Sequence, residues 1–219
     1  MKTIFFNEVE NTQELARNKF NGESLLVIAK TQSQGRGRKG SEWENADQSL
    51  ACSLAFIREK DGVGDSLLPL IASYVFTCLH EDREINLKWP NDLIIGEKKV
   101  GGVMIEKFED IYVAGLGVNY YWKTPGILSA GSLFKEEISF DEINKTAELW
   151  ASKFLNTIQK SEFDLQHYKL KCTTIDKLVE YPDGRGWVKD INEDGSLKVE
   201  KEDGRIISIY ESMISEVSL

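Results

Sequence analysis

The sequence predicts an α+β fold, in which a main domain with a mixed β-sheet and helices is followed by a small C-terminal β-barrel. Apolar runs of strand character are interspersed with helical patterns up to about residue 172. In the remaining chain, three Asp-Gly turn signals separate four short runs of strand character. A chain of 219 residues, 41% of them hydrophobic, is long enough for one sizeable core and a small satellite domain. We therefore predict two domains, 1–172 and 173–219.

Strands and helices alternate along the predicted main domain. Asn11 is a helix-capping residue, and Glu14 three positions later completes a capping-box pattern. Ser139 and Glu142 repeat that pattern before a helix whose apolar residues recur at helical spacing. The predicted strands are Lys2–Glu8, Ser24–Lys30, Ser49–Ile57, Asn86–Trp89, Leu93–Ile95, Lys99–Glu106 and Asp110–Asn119. The predicted helices are Asn11–Phe20, Ser66–His80 and the one that buries Ile143, Ala147, Trp150, Phe154 and Ile158.

The C-terminal part has the texture of a small all-β unit. Its turns are Asp183-Gly184, Asp194-Gly195 and Asp203-Gly204. The strands predicted between them are Leu178–Tyr181, Arg185–Ile191, Leu197–Glu200 and Ile206–Tyr210.

Composition excludes several classes of protein. A formal net charge of −9 repels nucleic acid and anionic membrane, so broad binding to phosphate backbones is not expected. Three cysteines without a CxxC pair predict buried free thiols in a reducing compartment, and two isolated histidines supply no zinc site. No apolar run reaches the ~18 residues of a membrane span, and the N-terminus lacks a signal-peptide core. These features predict a cytoplasmic protein.

The stretch from Gln32 to Trp43 is the first that suggests chemistry. Lys30, Arg36, Arg38 and Lys39 place four positive charges within ten residues of an acidic chain. Glycines between the arginines let the backbone approach an anion closely, and guanidinium groups bind phosphate and carboxylate at two points. The stretch also contains G-x-G-x-x-G, but no amphipathic helix follows it, so a dinucleotide-binding fold is not indicated.

A second motif begins at Lys88 and reads Lys-Trp-Pro-Asn-Asp, followed after six residues by Lys99-Val-Gly-Gly102. Pro90 fixes a turn after a strand, so that Asn91 and Asp92 can face a cleft. Lys99 then begins the partner strand of a hairpin, with glycines behind it where a ligand or backbone can come close.

The two motifs together resemble the signatures of biotin–protein ligases. Gln-x-x-Gly-Arg-Gly-Arg-x-Gly-x-x-Trp is similar to the family's biotin- and adenylate-binding loop, and the second motif is similar to its Lys-Trp-Pro-Asn-Asp hairpin. Gly115-Leu-Gly-Val-Asn119 and Asn11-Thr-Gln13 match two further family segments, the latter outright only at Thr12. The resemblance implies a catalytic domain like that of class II aminoacyl-tRNA synthetases and an SH3-like C-terminal domain. The helix-turn-helix domain of larger members has no counterpart here, so DNA binding is not expected.

This resemblance implies a reaction in two steps. The carboxylate of biotin attacks the α-phosphorus of ATP to give biotinyl-5′-AMP and pyrophosphate, and a lysine of a biotin carboxyl carrier protein or domain then displaces AMP. The glycine- and arginine-rich loop is expected to be mobile without ligand and ordered over the intermediate. Family members are monomers or homodimers, and neither state is favoured by this sequence.

The resemblance also implies a role for each site residue. Catalytic roles fall to Lys99, Arg36 and Arg38. The implied biotin-binding residues are Asn11, Thr12, Gln13, Gln32, Arg36, Gly37, Arg38, Lys99 and Gly102. The implied ATP- and adenylate-binding residues are Arg36, Arg38, Trp43, Lys88, Asn91 and Asn119. Mg²⁺ would accompany ATP, with Asp92 as the candidate ligand.

Two alternative functions are less consistent with the sequence. A lipoate–protein ligase performs the same chemistry on another carboxylic acid, but its Arg-Arg-x-x-Gly-Gly-Gly type of motif is not found. A non-enzymatic module that binds RNA through the Gly/Arg loop and the small barrel is opposed by the acidic charge.

Overall fold

The computed structural model describes residues 1–58 and 62–210, without the side chain of Lys39. The predicted charge of Lys39 in the basic loop and the last nine residues of the predicted C-terminal domain therefore lie outside the described part. The strands are β1 Lys2–Val9, β2 Leu25–Gln32, β3 Gln48–Ile57, β4 Asn86–Lys88, β5 Asp92–Ile95, β6 Lys98–Phe108, β7 Ile111–Tyr121, β8 Leu178–Tyr181, β9 Gly184–Ile191, β10 Leu197–Lys201 and β11 Ile206–Ile209. The helices are α1 Thr12–Lys19, α2 Leu68–Thr77, α3 Phe140–Lys160 and α4 Leu165–Lys171, with short 3₁₀ turns at Arg38–Gly40 and Asp65–Leu67.

The main sheet has seven strands in the order β1-β2-β3-β7-β6-β5-β4. β1 runs parallel to β2 and the other neighbours are antiparallel, so the predicted mixed sheet is confirmed. β2 is buried on both faces, as its continuous apolar run predicts. Leu26 and Ile28 face the core under α2 and α3, whereas Leu25 and Val27 pack with α1 on the other face. The face under α1 is the one that carries the candidate site.

α3 shows how local sequence and core packing agree. Ser139 accepts a hydrogen bond from the backbone N–H of Glu142 and donates to its carboxylate, which is the predicted capping box. The predicted stripe from Ile143 to Ile158 is buried. Trp150 also donates its indole N–H to the Ala72 carbonyl at 2.8 Å, which fixes α3 against α2. The helix ends where Ser161 adopts a left-handed conformation with φ of 54°.

Four antiparallel strands in the order β11-β10-β9-β8 form a second sheet. Its position and strand number fit the predicted SH3-like domain, although the described strands do not close into a ring. Its inner residues, such as Val188 and Leu197, are continuous with the main core. The domain boundary at residues 172 and 173 stays a prediction.

Some local predictions were wrong. The helix predicted over Ser66–His80 is α-helical only from Leu68 to Thr77, with a 3₁₀ turn before it. α4 was missed because its seven residues bury only Tyr168 and show no apolar stripe. Of the three free cysteines, Cys52 and Cys172 are buried as predicted, but Cys78 is only half-buried. Of the helices described, none has the length and apolar character of a bilayer span.

Candidate active site

Glycines form a floor in the centre of the main sheet, on the face that carries α1. Gly102 of β6 and Gly117 of β7 are direct cross-strand neighbours, and Gly115 lies two positions from Gly117 on the same face. A Cβ at Gly117 would lie 3.1 Å from the Trp43 indole, and a Cβ at Gly115 would lie 2.6 Å from Gln13 Oε1. The absence of side chains therefore lets flat or polar groups rest directly on the sheet. We call Gly102, Gly115 and Gly117 the glycine floor.

Residues 32–43, which we call the flap, fold back over this floor. The flap starts as an extension of β2, where Gln34 donates its N–H to the Glu10 carbonyl at 2.9 Å. Its two arms are joined by the Trp43 N–H, which donates to the Gly35 carbonyl at 2.9 Å. The Trp43 indole is thereby laid on Gly117, with its N–H buried and without a hydrogen-bond partner. The sequence predicted a loop here, and beyond the end of β2 this loop contains a β-bridge between Arg36 and Glu42 and a 3₁₀ turn at Arg38–Gly40.

Polar side chains at the start of α1 hold the base of the flap. Asn11 caps the helix by accepting from the N–H groups of Gln13 and Glu14, and it donates to the Gln34 carbonyl at 3.0 Å. Gln32 Oε1 accepts from both the N–H and the hydroxyl of Thr12, at 2.8 and 3.0 Å. The segments around residues 11–13 and 32–34, which are distant in sequence, are thus brought together.

Gln13 reaches from α1 to the sheet. Its amide nitrogen donates to the Val113 carbonyl at 2.9 Å, while its amide oxygen is buried beside Gly115 without a hydrogen-bond partner. A buried acceptor left unpaired costs about 1–3 kcal/mol, so a ligand that donates a hydrogen bond here would recover that energy.

The two arginines of the flap and the start of α1 line a cavity of about 490 Å³. That volume lies within the ~300–1,000 Å³ typical of small-molecule sites. Arg36 Nη1 lies 2.8 Å from Glu14 Oε1, in a pair whose members are both about half-exposed. The described residues that line the cavity are Asn11, Gln13, Glu14, Arg17, Arg36, Gly37, Arg38, Gly40, Met104, Ile105, Glu106 and Phe108. The cavity therefore joins an amide-rich end to a cationic flap.

Lys99 lies on the same face of the sheet but not in the lining of this cavity. Its Nζ is 5.9 Å from the Trp43 ring centroid, so Lys99 lies beside the indole that rests on the glycine floor. Nζ is also 2.8 Å from Asp92 Oδ1, although the two atoms are not aligned as a hydrogen bond. The predicted convergence of the arginines and Lys99 on one pocket stays a prediction, because the arginines line the cavity and Lys99 lies beside the Trp43 indole, outside that lining.

A β-bulge decides which face Lys99 occupies. β6 carries one extra residue relative to β5, because Leu93 pairs with Gly101 but Ile94 pairs with Lys99. Val100 is the extra residue and is buried in the core. Strict alternation would place Lys99 on the core face with Gly101, so the bulge turns it towards Asp92 and the glycine floor.

Asn91 and Asn119 flank the Lys99 side of the floor. Asn91 donates to the Val103 carbonyl at 2.6 Å and Asn119 donates to the Gly131 carbonyl at 3.0 Å, and both amide oxygens are buried without a hydrogen-bond partner. Lys88 stands opposite Asp92 in the β4–β5 hairpin with an exposed side chain, and it does not line the cavity. Of the predicted nucleotide contacts, Arg36 and Arg38 line the cavity, whereas Trp43, Lys88, Asn91 and Asn119 lie outside its lining.

The second motif is held from behind by the C-terminal part. The Trp89 indole donates to the Gly195 carbonyl at 2.8 Å, and its backbone N–H donates to the Thr174 hydroxyl at 2.9 Å. These bonds fix the strand end that presents Asn91 and Asp92.

No cluster of three or more metal-ligating side chains occurs in the described part of the chain. The Asp92 carboxylate, the candidate Mg²⁺ ligand, is paired with Lys99 instead. Its metal role stays a prediction, and no step of the chemistry below depends on a protein-bound metal.

Three residues at the site were missed by sequence reasoning. Ser53 shares a hydrogen bond of 2.8 Å with the Thr12 hydroxyl, Asn45 holds the Gln32 carbonyl at 2.7 Å, and Glu14 pairs with Arg36. Ser53 carried a signal, because it is a hydroxyl in an apolar buried strand. Asn45 carried none beyond its polar character, and Glu14 was predicted only as part of the helix cap.

Comparisons with known proteins agree with this geometry. A model of the biotin/lipoate A/B protein ligase family matches residues 6–119, more than half of the chain. The biotin–[acetyl-CoA-carboxylase] ligase of Mycobacterium tuberculosis is 25% identical over 204 residues, which is 80% of this chain and 73% of that protein. The bifunctional ligase/repressor BirA of Escherichia coli is 32% identical over 102 residues, 42% of this chain and 32% of that protein.

A solved structure extends the likeness to almost the whole chain. The biotin protein ligase from Aquifex aeolicus in complex with biotin and ATP has a TM-score of 0.83 and 25% identity, over 98% of this chain and 97% of that one. The family match covers α1, the flap, the Lys-Trp-Pro-Asn-Asp hairpin and the glycine floor. The chain belongs to the biotin/lipoate A/B protein ligase family.

Proposed function

We propose that this protein activates biotin with ATP as biotinyl-5′-AMP and transfers the biotinyl group to a lysine of a biotin carboxyl carrier protein or domain. One observation carries the proposal: the Trp43 indole lies on the glycine floor beside Lys99, and the neighbouring cavity is lined by Arg36 and Arg38 of the flap. Two anions must meet in this reaction, and positive charge near a flat, side-chain-free floor suits that need. The similar proteins support the proposal. The relative from Mycobacterium tuberculosis is named a biotin–[acetyl-CoA-carboxylase] ligase, and the similar structure from Aquifex aeolicus holds biotin and ATP.

Each group of residues has a distinct part in the proposed chemistry. A polar cluster is formed by Asn11, Thr12, Gln13 and Gln32. The unpaired amide oxygen of Gln13 in this cluster can accept a hydrogen bond and so orient the ring of biotin. Arg36 and Arg38 offer guanidinium groups to the phosphate, and a charge-assisted contact of this kind is worth roughly 1.5–3 kcal/mol. Lys99 stabilises the charge that develops between the carboxylate and the α-phosphate.

Binding of the substrates requires the Trp43 indole either to move away from Gly117 or to pack beside them. The indole lies on Gly117 and is close to Lys99, where the reacting groups would meet. Its buried and unpaired N–H adds a cost to this position of about 1–3 kcal/mol. We therefore propose that Trp43 lifts with the flap and covers the intermediate, which would also keep water from the mixed anhydride.

The second step needs a lysine from another protein. A carrier lysine attacks the carbonyl carbon of biotinyl-5′-AMP, an amide bond forms, and AMP leaves with the bonding electrons. The acceptor is a biotin carboxyl carrier of a carboxylase, and both partners would meet in the cytoplasm.

Two measurements test this function. Biotin-dependent exchange between ATP and labelled pyrophosphate reports the first step, and mass spectrometry of a carrier domain incubated with the protein, biotin and MgATP reports the second. We expect exchange only with biotin, and one added biotin on one lysine of the carrier. Exchange that depends on lipoate instead would assign the sister chemistry. RNA retention on a filter with no exchange at all would favour the binding module.

Replacing Lys99 by alanine should abolish most of the first step. We expect a loss of ~10²–10³-fold in the rate of adenylate formation, as for removal of a transition-state donor, with normal folding by circular dichroism. Lys98→Ala is the matched control, because Lys98 is the adjacent lysine and its side chain is exposed. A Lys99→Ala rate within twofold of the wild type would remove Lys99 from its proposed role.

A further inference from the structure

We propose that Asp92 is the positioning residue for Lys99: its buried carboxylate holds the Lys99 ammonium beside the glycine floor and balances its charge until negative charge develops on the reacting phosphate. This inference rests on the proposed function and adds a residue to it. Asp92 Oδ1 and Lys99 Nζ are 2.8 Å apart.

Burial distinguishes the two partners. The Asp92 side chain is 9% exposed and that of Lys99 is 43% exposed. A buried carboxylate is costly unless a charge compensates it, so Asp92 is the fixed member and Lys99 the accessible one. The contact with Asp92 is an ion pair without hydrogen-bond alignment, so the three donors of the ammonium group remain for the substrate.

Two features of the backbone serve this pair. The bulge at Val100 turns Lys99 to the face of Asp92. Gly102 pairs with Asp92 across the strands, and a Cβ there would lie 3.3 Å from Asp92 Oδ1 and 3.5 Å from Lys99 Cε. The first contact is tighter than van der Waals packing normally allows, so the hairpin provides both the direction and the room for this contact.

Charge balance predicts how Asp92 affects the kinetics. With Asp92 beside it, Lys99 contributes little net attraction to the carboxylate of bound biotin in the ground state. The contribution grows when further negative charge develops at the α-phosphate, and interactions that strengthen only in the transition state raise kcat more than they lower KM. Loss of the Asp92 charge should therefore reduce kcat without raising the KM for biotin.

The test compares Asp92→Asn with the wild type and with Glu97→Gln, an exposed acid in the turn of the same hairpin. We expect kcat for biotin-dependent pyrophosphate exchange to fall ~10- to 100-fold, as for a small misplacement of a catalytic group, with an equal or lower KM for biotin. Glu97→Gln should match the wild type. In a Lys99→Ala background, Asp92→Asn should have no further effect on kcat, because the positioned group is gone.

Other outcomes would overturn the inference. They are a wild-type kcat in Asp92→Asn, a raised KM with unchanged kcat, or an additive loss in the double variant. Activity restored by excess Mg²⁺ would assign Asp92 to the metal instead. If Asp92→Asn fails to fold, Gly102→Ala keeps both charges but crowds the pair, and an unchanged kcat there would also count against the idea. Wild-type protein without biotin-dependent exchange would instead refute the proposed function itself.

Discussion

At the scale of single residues, the site depends on contacts that have almost no tolerance for added atoms. Gln13 is held by its amide nitrogen to the Val113 carbonyl, which leaves the amide oxygen directly above Gly115. Trp43 likewise lies directly on Gly117, where a side chain would leave too little room for the indole. Small substitutions on the glycine floor should therefore affect function more than their volume suggests.

Gly115→Ala is the sharpest test of the floor. The new Cβ would lie 2.6 Å from Gln13 Oε1, so the amide must move and its bond to Val113 must weaken. We expect a loss of about 1–3 kcal/mol in the free energy of unfolding and a KM for biotin raised at least tenfold. Gly64→Ala is the control, because its Cβ would meet Ser66 Oγ at an ordinary 3.6 Å. Unchanged biotin binding in Gly115→Ala would show that the Gln13 amide is not used.

His80 gives the protein a predictable response to acid. Burial lowers its pKa below the ordinary value of 6.5, while Asp82 and Arg83 act in opposite directions. The unfolded chain therefore binds a proton at a higher pH than the folded chain does, and the free energy of unfolding falls as the pH drops from above 6.5 towards the folded-state pKa.

The measurement is urea unfolding at pH 7.5 and 5.5. His80→Phe, which keeps an aromatic ring beside Phe76, should show a smaller drop than the wild type. An equal drop in His80→Phe and the wild type would mean that other groups set the acid sensitivity.

At the scale of elements, the flap is an extension of β2 that folds on itself and is held to α1. Its base is held by backbone bonds of Ser33 and Gln34 and by side-chain bonds of Gln32 and Asn11, whereas nearer its tip Arg36 forms an exposed pair with Glu14. An exposed ion pair contributes only about 0.2–1 kcal/mol, so opening the flap should cost little compared with unfolding a strand.

Trypsin reports on the flap directly, because Arg36 and Arg38 are cleavage sites within it. We expect biotin with MgATP to slow cleavage at these two residues several-fold, since the closed flap contacts the intermediate. Biotin with MgATP should not change cleavage after Lys201, the last residue of β10, which belongs to the other sheet. Identical cleavage of the flap with and without substrates would contradict closure.

At the scale of the whole molecule, the two sheets share one core and meet at the second motif. Trp89 links them through its indole N–H and the Gly195 carbonyl, and Ser66 donates to the neighbouring Asp194 carbonyl at 2.6 Å. Lys169 and Asp190 add an ion pair of 2.8 Å across the same boundary. The C-terminal sheet therefore supports the hairpin that carries Asn91 and Asp92.

Trp89→Phe tests that support. Loss of the indole N–H leaves the Gly195 carbonyl unpaired, so we expect about 1–3 kcal/mol less stability and faster amide exchange in β9 and β10. The rate of adenylate formation should also fall, because the hairpin that carries Asn91 and Asp92 loses its hydrogen bond to the C-terminal part. Trp187→Phe, at an exposed position on the outer face of β9, should leave the stability, the amide exchange and the rate of adenylate formation unchanged. Unaltered amide exchange in β9 and β10 would show that the Trp89 hydrogen bond does not couple the stability of the two sheets.

Local sequence signals determined much of this protein. The caps at Asn11 and Ser139, the apolar stripe of α3, the Asp-Gly turns and the two motifs are each written within a few residues, so they predicted the elements, the fold class and the candidate site residues. Weak or short patterns failed, as for α4, because a single buried Tyr168 leaves no period to read.

Only the tertiary structure decided how the site residues face one another. Alternation alone would have turned Lys99 into the core, and the register between β5 and β6 shows that Val100 is the extra residue that prevents it. Likewise, the contact of Gln13 with Val113 and the place of Trp43 on Gly117 join residues about 75 to 100 positions apart. Such contacts follow from strand register and packing, which arise when the whole sheet forms and which no short stretch of sequence encodes.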